Sequence, residues 1–134
     1  MAAVIPEAFH DLLRGTAFAH LATLMADGTP QITPVWVDFD GVHVLVNSKV
    51  GRLKNANMAE RPAVAIEISD PANTYRYVSV RGKVVAVERD GAREHLEALS
   101  QRYRGEPYPW WSAGEEREIF KILPERVVTR VIEE

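Results

Sequence analysis

The chain has 134 residues, 16 Lys and Arg against 19 Asp and Glu, a formal net charge of −3, and no cysteine. That length suffices for one domain with a real core, and we expect a single domain over residues 1–134. Mild acidity argues against nucleic acid as a general partner, and the lack of thiols excludes disulfides, thiolate nucleophiles and zinc–thiolate sites.

No apolar run reaches the roughly 18 residues that would span a membrane. The opening Met-Ala-Ala-Val-Ile-Pro-Glu lacks the basic region and apolar core of a signal peptide, so a cytoplasmic location is the expectation. Pro6 to Arg14 reads as a short helix with Phe9, Leu12 and Leu13 on one stripe and Gly15 as its stop. Phe18 to Met25 reads as a strand, closed by Ala26-Asp27-Gly28-Thr29, where Asp-Gly supplies the positive φ angles of a hairpin turn. Gln31 to Phe39 is the second strand and Val42 to Asn47 the third, parted by Asp40-Gly41. These three are expected to form an antiparallel meander.

A helix from about Gly51 to Glu60 crosses to a fourth strand, Ala63 to Ser69, followed by the loop Asp70-Pro71-Ala72-Asn73. Tyr75 to Glu88 is a long strand. One face carries Val78, Val80, Val84 and Ala86; the other carries Tyr75, Tyr77, Ser79, Arg81 and Lys83 and meets water, a ligand or another subunit. Gly82 in its middle marks a bulge or bend. Asp90 reads as the N-cap of a helix ending near Tyr103, with Leu96 and Leu99 inward. Arg104 to Ser112 is an irregular loop holding Trp110-Trp111. Phe120 to Leu123 and Val127 to Ile132 are the last strands, parted by Pro124. Antiparallel strands with few helices close most naturally as a small β-barrel, which removes sheet edges.

Chemistry concentrates between Asn47 and Pro62. The first turn of a helix carries partial positive charge, and carboxylates normally sit there. Here it carries Lys49, Arg52 and Lys54, with no acid before Glu60. Each misplaced cation should cost roughly 0.3–1 kcal/mol, unless a bound phosphate or carboxylate reverses the sign. The alternatives are an anion site and a solvated basic turn. Thr33-Pro34-Val35-Trp36 poses a similar choice. Pro34 cannot donate a ladder hydrogen bond, so the strand is an edge with a buried Trp36, or its free backbone faces a planar ligand. Trp110 and Trp111 must pack in the core, at an interface or on a ligand. The spacings of His10, His20, His43 and His95 match no metal motif, so no metal is expected, and His95 reads as a solvent-facing helical residue. Ser48, Ser79, Ser100 and Ser112 lack the G-x-S-x-G context of a hydrolase. Neither G-x-G-x-x-G after a strand nor G-x-x-x-x-G-K-[ST] occurs.

The order Leu-Ala-Thr-Leu, Asp-Gly-Thr-Pro-Gln, Thr-Pro-Val-Trp, then Arg52-x-Lys54, Arg61-Pro62 and Val64-Ala65-Ile66, with Arg81-Gly82 further on, resembles the pyridoxamine 5′-phosphate oxidase-like split-barrel flavoproteins. The closest likeness is to their short members that use the deazaflavin coenzyme F420. The resemblance implies a mainly β fold, a six-stranded antiparallel split barrel with a few flanking helices, assembled as a homodimer with two cofactors at the interface. It implies that Arg52 and Lys54 hold the cofactor phosphate, with Lys49, Asn55, Asn47 and Ser48 nearby. Thr33, Pro34, Val35 and Trp36 would run beside the ring system, and Tyr75 and Tyr77 would line the ring or the substrate. The chain lacks the oxidase's long C-terminal segment with its substrate-binding Arg and His residues. That departure counts against oxidation of pyridoxamine phosphate, and the shorter Arg52-x-Lys54 form leans toward the deazaflavin, so the resemblance implies an oxidoreductase passing a hydride from reduced F420 to a small-molecule acceptor such as an enone or quinone. FMN is the alternative cofactor, and a non-enzymatic flavin- or haem-binding carrier or sensor is the alternative function. A plain dimeric interaction protein remains a third. Neither nucleic acid nor a membrane is an expected partner, and no side chain stands out as a catalytic acid or base.

Overall fold

The computed structural model describes residues 2–132. A 3₁₀ turn, Glu7–Phe9, runs into α1, His10–Arg14, and Phe9, Leu12 and Leu13 are buried as the sequence stripe requires. Strands β1 (Ala19–Leu24) and β2 (Pro30–Val35) pair across the Asp27-Gly28 turn, where Gly28 sits at φ 86° and Asp27 Oδ1 accepts the Thr29 N–H at 3.0 Å. Then come β3 (Asp38–Phe39), β4 (Val44–Lys49), α2 (Leu53–Glu60), β5 (Ala63–Asp70), β6 (Asn73–Glu88), α3 (Ala92–Arg104) and β7 (Arg117–Arg130). All pairs are antiparallel, in the order β2-β1-β5-β6-β7-β4-β3.

The sheet therefore has seven strands, not the six expected. The expected second strand breaks at Trp36-Val37 into β2 and β3. The meander fails at the same point, because β2 and β3 lie at opposite edges of the sheet. Only two residues join those edges, and a residue spans at most about 3.5 Å. The sheet must curl to bring its edges together, giving a half-barrel with its apolar face inward. That concave face carries Leu21, Val44, Val46, Ile66, Ile68, Val78, Val80, Phe120 and Ile122, closed by Leu13 of α1 and Met58 of α2.

The backbone at the join has no strand partner, so α3 supplies one. The Val37 N–H donates to the Tyr103 hydroxyl at 3.1 Å, and that hydroxyl donates to the Ala17 carbonyl at 2.8 Å. Arg102 donates to the Val37 carbonyl and to Asp38 Oδ1. Helix α3 packs outside the sheet, where Ala92 meets Leu45 and Ile119. Its N-cap is Gly91 at φ 77°, not Asp90, and no side chain caps it.

The two expected final strands are one. β7 continues through Pro124 because the ladder bulges there: Arg81 faces Arg126 while Gly82 faces Pro124, leaving Glu125 over. A bulge tolerates a residue without an N–H. A Cβ at Gly82 would collide with the Leu123 carbonyl, so the glycine permits the close approach of the two backbones.

Candidate functional site

A cleft of about 210 Å³ opens where the end of β4, the start of α2, the start of β7 and the Trp36 join converge, roofed by α3 and the 105–116 loop. Gly51, at φ 101°, turns the chain from β4 into α2. Arg52 takes the N-cap position with extended backbone and no side-chain cap, and the first turn holds no acid. Arg52 is exposed at the cleft; Lys54, two residues on, is only 7% exposed. Lys54 Nζ donates to Thr33 Oγ1 at 3.1 Å. Burial, then the neighbouring Arg52 and Arg117, push the Lys54 ammonium below its ordinary pKa.

Arg117 lines the same cleft and is likewise only 7% exposed. Its Nη1 pairs with Glu115 Oε2 at 2.9 Å and its Nε donates to Asn47 Oδ1 at 2.9 Å. Burial lowers its pKa, partly offset by Glu115. Burial raises the Glu115 carboxyl, but hydrogen bonds from the Ser112 N–H, Arg117 and the Ser112 hydroxyl outweigh it and hold the group below the usual carboxylate range. Of the two buried cations and one exposed cation gathered here, only Arg117 has a carboxylate partner among the described residues, Glu115. Buried charge is costly unless paired, so this corner has positive charge to spare. One of its polar groups is also short of a partner: Asn55 Oδ1 is buried with none among the described residues.

Of the residues singled out from the sequence, Pro34, Val35, Trp36, Asn47, Arg52 and Lys54 line this cleft, and Thr33 touches it through Lys54. Lys49 lies on its rim and donates to Ser112 Oγ at 3.1 Å. Ser48 faces the opposite side of β4 and is fully buried, and Asn55 donates to Glu118 Oε1 at 3.0 Å. Tyr75 and Tyr77 are not brought here. They lie at the far end of β6, Tyr77 opposite Arg130 and Tyr75 exposed beside the β5–β6 turn.

The roof is aromatic. Trp36 is half-buried, stacked on Tyr103 at 5.1 Å, and Tyr108 meets Trp36, Trp110 and Trp111 edge-on. The Trp pair divides its roles. Trp111 is anchored, its Nε1 donating to Glu97 Oε2 at 2.8 Å with the Arg93 guanidinium 3.8 Å over its ring. Trp110 is 61% exposed at the cleft mouth. Hydrogen bonds from the Tyr108 N–H and Trp111 lower the Glu97 carboxyl.

Sequence reasoning missed Arg117, Tyr108 and the inward role of His95. His95 does not face solvent: its side chain is 14% exposed and bonds Asp38 and Asn47. The available signal for Arg117 was alternation. Phe120 and Ile122 face the core, so Ile119 and Arg117 fall on the other face, beside Asn47 and Lys49.

A family model described as pyridoxamine 5′-phosphate oxidase matches residues 5–130. No curated protein matches the chain. Among solved structures, an F420 reductase is similar at 33% identity and TM-score 0.83, over 92% of this chain and 98% of that one. A conserved hypothetical protein from Mycobacterium tuberculosis is similar at 23% identity and TM-score 0.75, over 95% and 85%. The General Stress Protein 26 from Bacillus anthracis shares the fold at 16% identity and TM-score 0.69, over 92% of each chain. With its half-barrel, its basic helix start and a family match spanning nearly the whole sequence, the chain belongs to the pyridoxamine 5′-phosphate oxidase family.

Proposed function

We propose that this chain is an F420-dependent oxidoreductase of the cytoplasm, with FMN as the second choice of cofactor. The observation that carries the reading is Lys54: a buried ammonium beside two arginines, where among the described residues only Glu115 is paired into the group, through Arg117. A phosphate would satisfy that excess charge, the helix N–H groups and the guanidinium forks together. The similarity to an F420 reductase favours the deazaflavin.

In this reading Arg52, Lys54 and Arg117 hold the phosphate, with Lys49, Asn47 and Asn55 around it and Ser48 behind them on the inner face of β4. Thr33, Pro34, Val35 and Trp36 run beside the ring. Bound deazaflavin supplies hydride transfer to an organic acceptor such as an enone or quinone; the protein binds, orients and excludes water. The cleft of about 210 Å³ is smaller than the roughly 300–1,000 Å³ usual for ligand sites, so one chain encloses only part of such a molecule. A second copy would complete it and could bring Tyr75 and Tyr77 into reach. The outer sheet face, where Ile32 and Val128 are exposed, offers apolar surface for that contact.

The test is a fluorescence titration of both cofactors against wild type and the Arg52→Ala/Lys54→Ala double variant. Hydrogen bonds to charged groups are worth about 1.5–3 kcal/mol each, so the double variant should lose a few kcal/mol of affinity. Equal affinity in both proteins would place the phosphate elsewhere. Tight binding without turnover on any acceptor would favour the carrier or sensor.

A further inference from the structure

Beneath the cleft a chain of polar side chains links β3, α3, β4 and β7. Asp38 Oδ2 lies 3.0 Å from His95 Nε2, and His95 Nδ1 lies 3.1 Å from Asn47 Nδ2. Asn47 Nδ2 also donates to the Ala92 carbonyl at 2.7 Å, and Asn47 Oδ1 accepts from Arg117 Nε at 2.9 Å.

The donor and acceptor roles in this chain are forced. Arginine Nε can only donate and a carbonyl can only accept, so Arg117 and Ala92 fix which atom of the Asn47 amide is oxygen. Asn47 Nδ2 therefore presents a hydrogen to His95 Nδ1, which must be bare. The imidazole proton belongs on Nε2, donated to Asp38. A second proton on Nδ1 would oppose N–H to N–H. Flipping the Asn47 amide offers no escape, since its oxygen would meet the Ala92 carbonyl and its nitrogen the Arg117 N–H.

We propose that His95 is a positioning residue for the anion cleft: neutral, it locks the Asn47 amide that holds the Arg117 guanidinium, and protonation in mild acid breaks the lock. The inference rests on the anion-site reading above and adds a regulation to it. Asp38, from β3, attracts a proton to the ring. Arg102, paired with the other oxygen of Asp38 at 3.1 Å, and Arg117, beyond Asn47, oppose it.

Sulfate is the probe, because it stays divalent throughout and any pH effect is the protein's. Calorimetric titrations at constant ionic strength compare wild type, His95→Asn and His95→Gln at about pH 8 and pH 5.5. Wild type should bind about tenfold more weakly in acid, the scale of one hydrogen bond to a charged group. Asn places an amide oxygen near the position of Nδ1 and cannot be protonated, so His95→Asn should keep the alkaline affinity at both pH values. Gln reaches Asp38 but not Asn47, so His95→Gln should bind weakly at both. A merely structural histidine would give no such split. Nitrogen-15 spectra of the imidazole in the ligand-free protein should show Nδ1 bare and Nε2 protonated at neutral pH. Sulfate affinity that ignores pH in wild type, or a proton on Nδ1 at neutral pH, overturns the proposal. Absence of sulfate binding at both pH values overturns the anion-site reading itself.

Discussion

Lys54 holds its charge against its surroundings, with a threonine hydroxyl as its hydrogen-bond partner and arginines as its neighbours. The native state disfavours that ammonium, since its pKa is lowered from 10.5. The cost is present in full below the folded pKa and is relieved as pH rises through it toward the unfolded value. Replacing a buried ionic group by an apolar one of similar size can stabilise, so Lys54→Met should make the ligand-free protein more stable by about 1 kcal/mol or more near neutral pH. The gain should shrink toward pH 10.5. Urea unfolding at two pH values measures both, and a loss of stability at neutral pH would contradict the account. The same variant should lose cofactor affinity. Opposite signs for stability and binding are the mark of a residue kept for its ligand.

At the scale of elements, β6 and β7 are long strands kept in register by bulges. Gly82→Ala would drive a methyl group into the Leu123 carbonyl. Overpacking of this kind costs about 1–3 kcal/mol, and thermal unfolding should register it as a lowered Tm with the fold retained. Glycine in a strand announced this bulge in the sequence, as Asp27-Gly28 announced its hairpin. Alternation in β6 and the charge of the α2 start were equally legible, because each is a local pattern with a local cause. The pairing of strands was not. Nothing in Trp36-Val37 itself says that the chain crosses between sheet edges there, and Pro34 marks an edge without saying which. Nor could local pattern place Arg117 against Lys54. That neighbourhood depends on β4 pairing with β7, about seventy positions apart in the chain. Asp90 misled because a good capping residue lay one position before a glycine that took its place.

The whole molecule leaves apolar side chains on its outer face, Ile32 and Val128 among them, and a cleft too small to enclose a flavin-sized ligand. We predict a twofold dimer with an isologous contact, checked by light scattering at micromolar concentration; a monomer mass would refute it. Closure of the barrel carries a consequence for the order of folding events. The join between the sheet edges is completed by the Tyr103 hydroxyl, from a helix 66 positions along the chain from Val37. Loop-closure entropy delays such distant contacts, so this one should form after the rate-limiting step. Tyr103→Phe would leave the Val37 N–H and the Ala17 carbonyl unpaired, at about 1–3 kcal/mol for a buried group. Stopped-flow kinetics should show the whole loss as faster unfolding, with the refolding rate nearly unchanged. The helix would then act as a clasp on a finished barrel, governing how long the native state lasts rather than how quickly it is reached.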